Sequence, residues 1–270
     1  MEKILFETLN VSEEIKRAIR DMGFEEATPV QSQSIGPMMA GRDMVSQAPT
    51  GTGKTCAFGI PLIEGINSTA RSVQALILCP TRELVIQTTD ELMKLTKYKH
   101  SIRIVPIYGG QNIERQITAL KRRPQIIVAT PGRLMDHMRR HTIRLGELQY
   151  MVLDEADEML NMGFREDIDT ILESVPEERQ TVLFSATMSR EILAITKKYL
   201  TNPVQIQIAK SQITVPSIRQ YYLEVSRENK IDVLARLIDV NNYKLSMVFC
   251  NTKRQVDELT HEMIARGYQA

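Results

Sequence analysis

Short apolar runs rich in β-branched residues alternate with longer stretches of helical periodicity along most of the chain. A strand buried on both faces reads as a continuous apolar run, whereas a surface helix places an apolar residue about every third or fourth position. The alternation therefore predicts an α/β fold, a parallel sheet with crossover helices on both faces. Strands are expected over residues 43–47, 75–79, 103–107, 125–129, 151–154, 181–185 and 204–208. Several of these runs end in a small or polar cluster that then opens a helix: APTGTGKT, PTREL, TPGRL, DEADE and SATMS. Open α/β sheets bind ligands at such strand ends.

The pattern changes at residues 209–216, AKSQITVP, and then starts again with an expected strand over 220–225, a helix over 230–240, a strand over 246–250 and an amphipathic helix over 252–266. This predicts a first α/β domain over residues 1–208, a linker over 209–216 and the start of a second domain over 217–270. Two strands and two helices are too few to cover a doubly wound sheet, so the second domain is expected to be incomplete.

Composition narrows the partners. At 43% hydrophobic, the 270 residues can bury a sizeable core as one large domain or two smaller ones. With 34 basic against 33 acidic residues, the net charge of +1 exerts no broad pull on nucleic acid or anionic lipid. Any nucleic acid must be held by local groups. Cys56, Cys79 and Cys250 are far apart and show neither a disulfide framework nor a zinc spacing, which points to a reducing, cytoplasmic location. The N-terminal residues carry acidic side chains and no long apolar core, so a signal peptide is not expected. No run approaches the roughly 18 apolar residues of a membrane span, and no membrane partner is expected.

The segment Ala48-Pro-Thr-Gly-Thr-Gly-Lys-Thr55 follows an expected strand and precedes a helical run, the context of a P-loop. Gly51 and Gly53 allow backbone N–H groups to turn inward around phosphate oxygens. Lys54 supplies positive charge to the β and γ phosphates, the Thr55 hydroxyl faces magnesium, and Thr50 and Thr52 complete the cradle. Ala48 departs from the general pattern, which has glycine there. The partner element is Tyr150-Met-Val-Leu-Asp154-Glu155-Ala-Asp157, an apolar strand that delivers carboxylates to the same sheet edge. Asp154 suits a magnesium ligand, and Glu155 a base that orients and deprotonates an attacking water.

Asp154-Glu-Ala-Asp157 together with Ser185-Ala-Thr187, Pro80-Thr-Arg-Glu-Leu84 and Thr130-Pro-Gly-Arg133 resembles a DEAD-box RNA helicase, in order and in spacing, from about Phe6 to the end of the chain. The resemblance implies RecA-like domains in tandem, with ATP and Mg2+ as cofactors and RNA as partner to a monomeric protein. Gly23-Phe24 and Thr28-Pro-Val-Gln31 resemble that family's Q motif. A side-chain amide both donates and accepts, so Gln31 can read the N6 and N7 edge of adenine. Phe6 and Phe24 are placed near the base by the resemblance alone. It also implies that Pro80, Thr81, Arg82, Gly109, Gly110, Thr130, Pro131, Gly132 and Arg133 hold the sugar-phosphate backbone of one RNA strand. Such contacts read backbone and 2′-hydroxyl, so binding is expected to be independent of sequence. Taken singly, each of these motifs is equally an ordinary loop-to-helix cap. Asp157, Ser185 and Thr187 are implied to couple ATP to strand separation. Val248-Phe-Cys-Asn-Thr252 matches the family's first motif after the linker, and no residue matches the later arginine fingers. ATP binding with little turnover is therefore expected of these 270 residues.

Three features carry no functional expectation. His137 and His141 have metal-ligand spacing, but with Arg139 and Arg140 they read as a solvated basic face. Lys121-Arg-Arg123 reads as a solvated charge run, and the 14 methionines as core filler.

Overall fold

A computed structural model describes residues 4–208, 219, 221–241 and 243–270. The chain divides into two compact units, Met1–Ser211 and Gln212–Ala270. The expected linker over 209–216 lies outside the described residues.

The first unit is built on seven parallel strands: β1 (Met44–Gln47), β2 (Ala75–Leu78), β3 (Ile104–Ile107), β4 (Ile126–Ala129), β5 (Tyr150–Leu153), β6 (Gln180–Ser185) and β7 (Val204–Gln207). Their order across the sheet is β3-β4-β2-β5-β6-β1-β7. Each expected strand of this unit is present, within a residue or two of its expected bounds. Side chains along β2 alternate between two cores, with Ala75 and Ile77 packed on one face and Leu76 and Leu78 on the other. That is the period of two acting on a sheet buried on both sides, which is why the strands are apolar throughout.

Helices α1 (Glu13–Asp21), α2 (Pro29–Met39), α3 (Lys54–Gly65) and α4 (Arg82–Leu95) cover the first face, through residues such as Ile15, Ile35, Phe58 and Leu92. Helices α5 (Ile113–Leu120), α6 (Pro131–Arg139), α7 (Ala156–Asn161), α8 (Arg165–Ser174) and α9 (Arg190–Tyr199) cover the second, through Leu120, Leu134, Met159, Ile171 and Ile195. None of the described helices is long and apolar enough to cross a membrane.

Because β5, β6 and β1 are neighbours, the loops after them open side by side at one half of the sheet's C-terminal edge. Backbone hydrogen bonds fix their heights: Ala48 N–H donates to the Ser185 carbonyl at 2.9 Å, and Asp154 N–H to the Leu78 carbonyl at 2.9 Å. The loops after β2, β4 and β3 occupy the other half.

The second unit contains α10 (Lys230–Asn241) and α11 (Lys253–Ala265). Tyr268 closes it by donating to Asp239 Oδ1 at 2.6 Å, and Arg266 pairs with Asp232 at 2.6 Å. The expected strands over 220–225 and 246–250 are absent among the described residues, Gln220 lying outside them. Tyr222, Met247 and Phe249 of these segments stand exposed. A strand exists only by pairing, and these apolar segments have no paired neighbour among the described residues.

Candidate functional site

Gly53 caps the start of α3 with φ +87°, and Gly51 has φ +74°, both in the left-handed region that only glycine enters freely. The loop between β1 and α3 lines a cleft of about 850 Å3 through Thr50, Gly51 and Gly53. Ala48, where glycine was anticipated, keeps a negative φ and is buried at the end of β1, so alanine causes no strain there.

Residues from the segment before β1 brace this loop. Thr28 Oγ1 donates to the Thr52 carbonyl at 2.8 Å, and Gln31 Nε2 donates to the Gly53 carbonyl at 3.0 Å. Gln31 Oε1 accepts from the Thr28 N–H at 2.8 Å, one half of a capping box at the start of α2. A Cβ on Gly53 would collide with Gln31 Nε2. Gln31 also lines the cleft, so one amide holds the loop and faces the space beside it.

At the floor of the cleft, Lys54 and Asp154 are 6% and 5% exposed. Lys54 Nζ stands 3.8 Å from Asp154 Oδ1 and 3.9 Å from Glu155 Oε1. Neither Lys54 Nζ nor Asp154 Oδ1 has a hydrogen-bond partner. Buried charged atoms without hydrogen-bond partners are costly and rare, and these two face each other across 3.8 Å. Burial pushes the Asp154 carboxyl up to about 6, against the opposing pull of Lys54 and with a further rise from Glu155. A cation coordinated by Asp154 and an anion met by Lys54 would satisfy both atoms, so the residues present fit a metal-bound phosphate. Glu155 reaches the cleft through a left-handed backbone, φ 51° and ψ 50°, as the residue capping α7. Strain of this kind costs roughly 1–3 kcal/mol in a non-glycine residue and concentrates at working sites.

Two residues on, Asp157 accepts from the Thr187 hydroxyl and the Thr187 N–H, each at 2.9 Å. Burial raises its carboxyl, but the hydrogen bonds outweigh burial and hold it below the usual range. Ser185 Oγ donates to the Thr187 carbonyl at 2.6 Å. The loop after β6 is thus tied to the helix that follows β5.

On the other half of the edge, the Arg82 guanidinium lies 5.2 Å above the Tyr108 ring and next to Gly110, whose φ is +80°. Arg133 donates to the Gln111 carbonyl at 2.9 Å. Thr81 caps α4 by accepting from Leu84 N–H at 3.2 Å, whereas the Thr130 hydroxyl at the start of α6 caps nothing. Gly109, Gly110, Arg82 and Gly132 are exposed, and Pro80 and Pro131 are buried behind them. The strand-end loops thus gather two arginines, two helix starts and a glycine turn on one surface.

A sequence model of the DEAD/DEAH box helicase family matches residues 28–195. The chain belongs to that family. It is 52% identical over 267 residues to the DEAD-box ATP-dependent RNA helicase CshA of Bacillus licheniformis, covering 99% of this chain and 55% of the relative. It is 51% identical over 267 residues to the CshA of Bacillus subtilis, covering 99% and 54%. The chain spans about half the length of the curated relatives it matches. Among solved structures it resembles a DEAD box protein from the hyperthermophile Methanococcus jannaschii, with a TM-score of 0.74 and 41% identity over 99% of this chain and 72% of that one.

Within this DEAD/DEAH box chain, Phe24, Gln31, Thr50, Gly51, Gly53, Lys54, Thr55, Asp154 and Glu155 share the cleft. Thr28 and Thr52 brace it from behind. Phe6 is a correction: it is 3% exposed and packed in the core, leaving no ring face for a base, while Phe24 is 41% exposed at the cleft wall. The reading of His137 as part of a solvated face is also corrected. His137 is fully buried, with Nδ1 2.7 Å from Thr142 Oγ1 and Nε2 3.1 Å from Gln116 Oε1. Burial, and then Arg133, hold its pKa below the ordinary value, which keeps the ring neutral. Gln116 in turn donates to the Tyr108 carbonyl at 2.9 Å and accepts from Arg133 at 3.4 Å. These two residues hold the Gly109-Gly110 turn against Arg133. The i, i+4 spacing of Arg133 and His137 on one helix was the available signal. Sequence reasoning also missed Gln87, Glu91 and Lys94, a stripe of α4 that forms the cleft's far wall.

Proposed function

We propose that this chain is the ATP- and RNA-binding portion of an ATP-dependent RNA helicase, which couples ATP hydrolysis to local remodelling of RNA. The observation that carries the reading is the convergence of Lys54 Nζ and Asp154 Oδ1, buried and without hydrogen-bond partners, beneath a glycine loop that Gln31 clasps. The names of the curated relatives support it, since they are ATP-dependent RNA helicases.

In this mechanism Lys54 and the N–H groups at the start of α3 bind the phosphates. Gln31 faces the adenine edge and favours ATP over GTP. Thr55 and Asp154 would hold Mg2+, which when bound supplies positive charge to the phosphoryl oxygens. Glu155 orients the attacking water and takes its proton. Asp157, through Thr187 and Ser185, carries the state of this site to the loop after β6. Arg82, Arg133, Thr130 and the Gly109-Gly110 turn grip phosphates and 2′-hydroxyls of one RNA strand, which accounts for RNA binding at a net charge of +1. Lys54 is the one cation within ion-pair distance of Asp154 and Glu155 among the described residues. Turnover by these 270 residues alone is therefore low, because an added arginine is worth roughly a thousandfold or more in P-loop enzymes.

Binding of RNA and of DNA with the same sequence, each with and without ATP and magnesium, tests this reading. Tighter binding of RNA than of DNA is expected, and equal affinity overturns the RNA assignment. Substantial turnover that disappears in Lys54→Ala contradicts the low-activity statement.

A further inference from the structure

The edge of the sheet opposite the nucleotide cleft is strongly cationic. A cavity of about 690 Å3 there is lined by Arg71, Lys121, Arg123, His141 and Arg144, against a single carboxylate, Glu147. These residues lie just before β2, β4 and β5, at the N-terminal edge of the sheet. A second groove of about 430 Å3 runs along β3, the edge strand, and carries Arg103, Arg115 and Arg122 with no carboxylate. The two share Pro124. At its upper end the β3 groove reaches Gln111, the residue after the Gly109-Gly110 turn, whose carbonyl holds Arg133.

Four features separate this surface from an ordinary solvated face. The side chains of Arg71, Arg115, Lys121, Arg123 and Arg144 have no ion-pair or hydrogen-bond partner among the described residues, in a chain whose net charge is only +1. Arg123 and His141 have φ of 54° and 53°. Both follow helix ends, where glycine is the residue that fits such a backbone, yet arginine and histidine stand there. Attraction to the helix C-terminus accounts for basic residues at those two ends, but not for Arg71 or Arg144 on loops. Finally, neither cavity is lined by phenylalanine, tyrosine or tryptophan. The chemistry suits phosphates better than stacked bases.

We propose that this track, from Gln111 down the β3 edge to the cavity under the sheet, is a second RNA-backbone site that holds the phosphates of strand flanking those gripped by Arg82 and Arg133. The assignment rests on the RNA reading above. Continuity with Gln111 favours RNA over an acidic protein segment, because one chain of phosphates can run from one surface to the other.

The test uses the 270-residue chain and the triple variant Arg71→Ser, Arg123→Gly, Arg144→Ser, with single-stranded RNAs of about 6 and about 20 nucleotides, lengths that bracket a single site. The variant is expected to bind the long RNA about tenfold more weakly, with the slope of log affinity against log salt reduced by about 2, from three phosphate contacts at roughly 0.7 each. The short RNA is expected to bind unchanged. Thermal stability is expected to hold or rise, since glycine suits the backbone at position 123. Equal loss for both RNAs, or no loss for the long one, overturns the track while leaving the primary site standing. If the unmodified chain binds neither RNA, the RNA reading itself fails and takes the track with it. Poly-glutamate that binds the unmodified chain but not the variant, with long RNA unaffected, assigns the surface to an acidic protein and also overturns the proposal.

Discussion

The side-chain amide of Gln31 donates to the carbonyl of Gly53 at 3.0 Å, joining the start of α2 to the phosphate loop. Its carbonyl end is used by Thr28 N–H, so a single side chain carries a helix cap and a loop brace. Gln31→Ala removes both. We expect a loss of about 1–2 kcal/mol in stability and at least a tenfold loss in ATP affinity, measured by chemical unfolding and by nucleotide titration. Gln31→Glu keeps an acceptor for Thr28 but loses the donor to Gly53, so it is expected to recover the cap without recovering the affinity.

The two glycines of the loop are expected to respond differently. A methyl group on Gly51 meets nothing within 4 Å, so Gly51→Ala carries only backbone strain, about 1 kcal/mol. Gly53→Ala adds a collision with Gln31, and a loss on the order of 3 kcal/mol is expected. Thermal unfolding of the two variants side by side checks the order.

Asp154 is held at about 6, above the ordinary carboxylate value, chiefly by burial. A raised carboxyl binds its proton more tightly in the folded chain. Stability of the metal-free, nucleotide-free protein therefore falls as pH rises from about 4 to about 6, and above that the buried charge persists as a cost. Asp154→Asn removes this cost and is expected to stabilise the empty protein by on the order of 1–3 kcal/mol at pH 7, while abolishing magnesium-dependent nucleotide binding. Denaturant unfolding across that pH range reads the first effect. A variant that is no more stable than its parent contradicts the account of the site.

His137 moves in the opposite direction. Its pKa lies below the ordinary value through burial and the nearby Arg133, so the unfolded chain takes up a proton that the folded chain refuses. Stability is lost as pH falls below about 6.5. His137→Gln is expected to flatten that dependence, and to weaken RNA binding more than ATP binding because His137 supports Gln116 behind Arg133. Stability curves at pH 5.5 and 7.5, paired with titrations of both ligands, separate these effects.

The parallel sheet was legible because each strand is apolar on both faces, as Leu76 and Ile77 illustrate by entering opposite cores. The meeting of Lys54, Asp154 and Glu155 at one sheet edge was legible because glycine loops and strand-end carboxylates carry position in their spacing. Phe6 was misread because an aromatic residue has the same letter in a core as beside a base. The Gln116–His137 contact was hidden because it spans 21 positions between two helices. Whether the residues 246–250 form a strand depends on neighbours, which local pattern does not encode.

Calorimetric titration of the 270-residue chain with ATP, in the presence and absence of magnesium and repeated with Lys54→Ala, tests the central claim most directly. The account predicts magnesium-dependent binding by the unmodified chain, reduced at least fiftyfold when Lys54 is lost, by analogy with the roughly 2–5 kcal/mol attached to a buried charge pair broken on one side. Equal ATP affinity for the two proteins, or binding indifferent to magnesium, would contradict it.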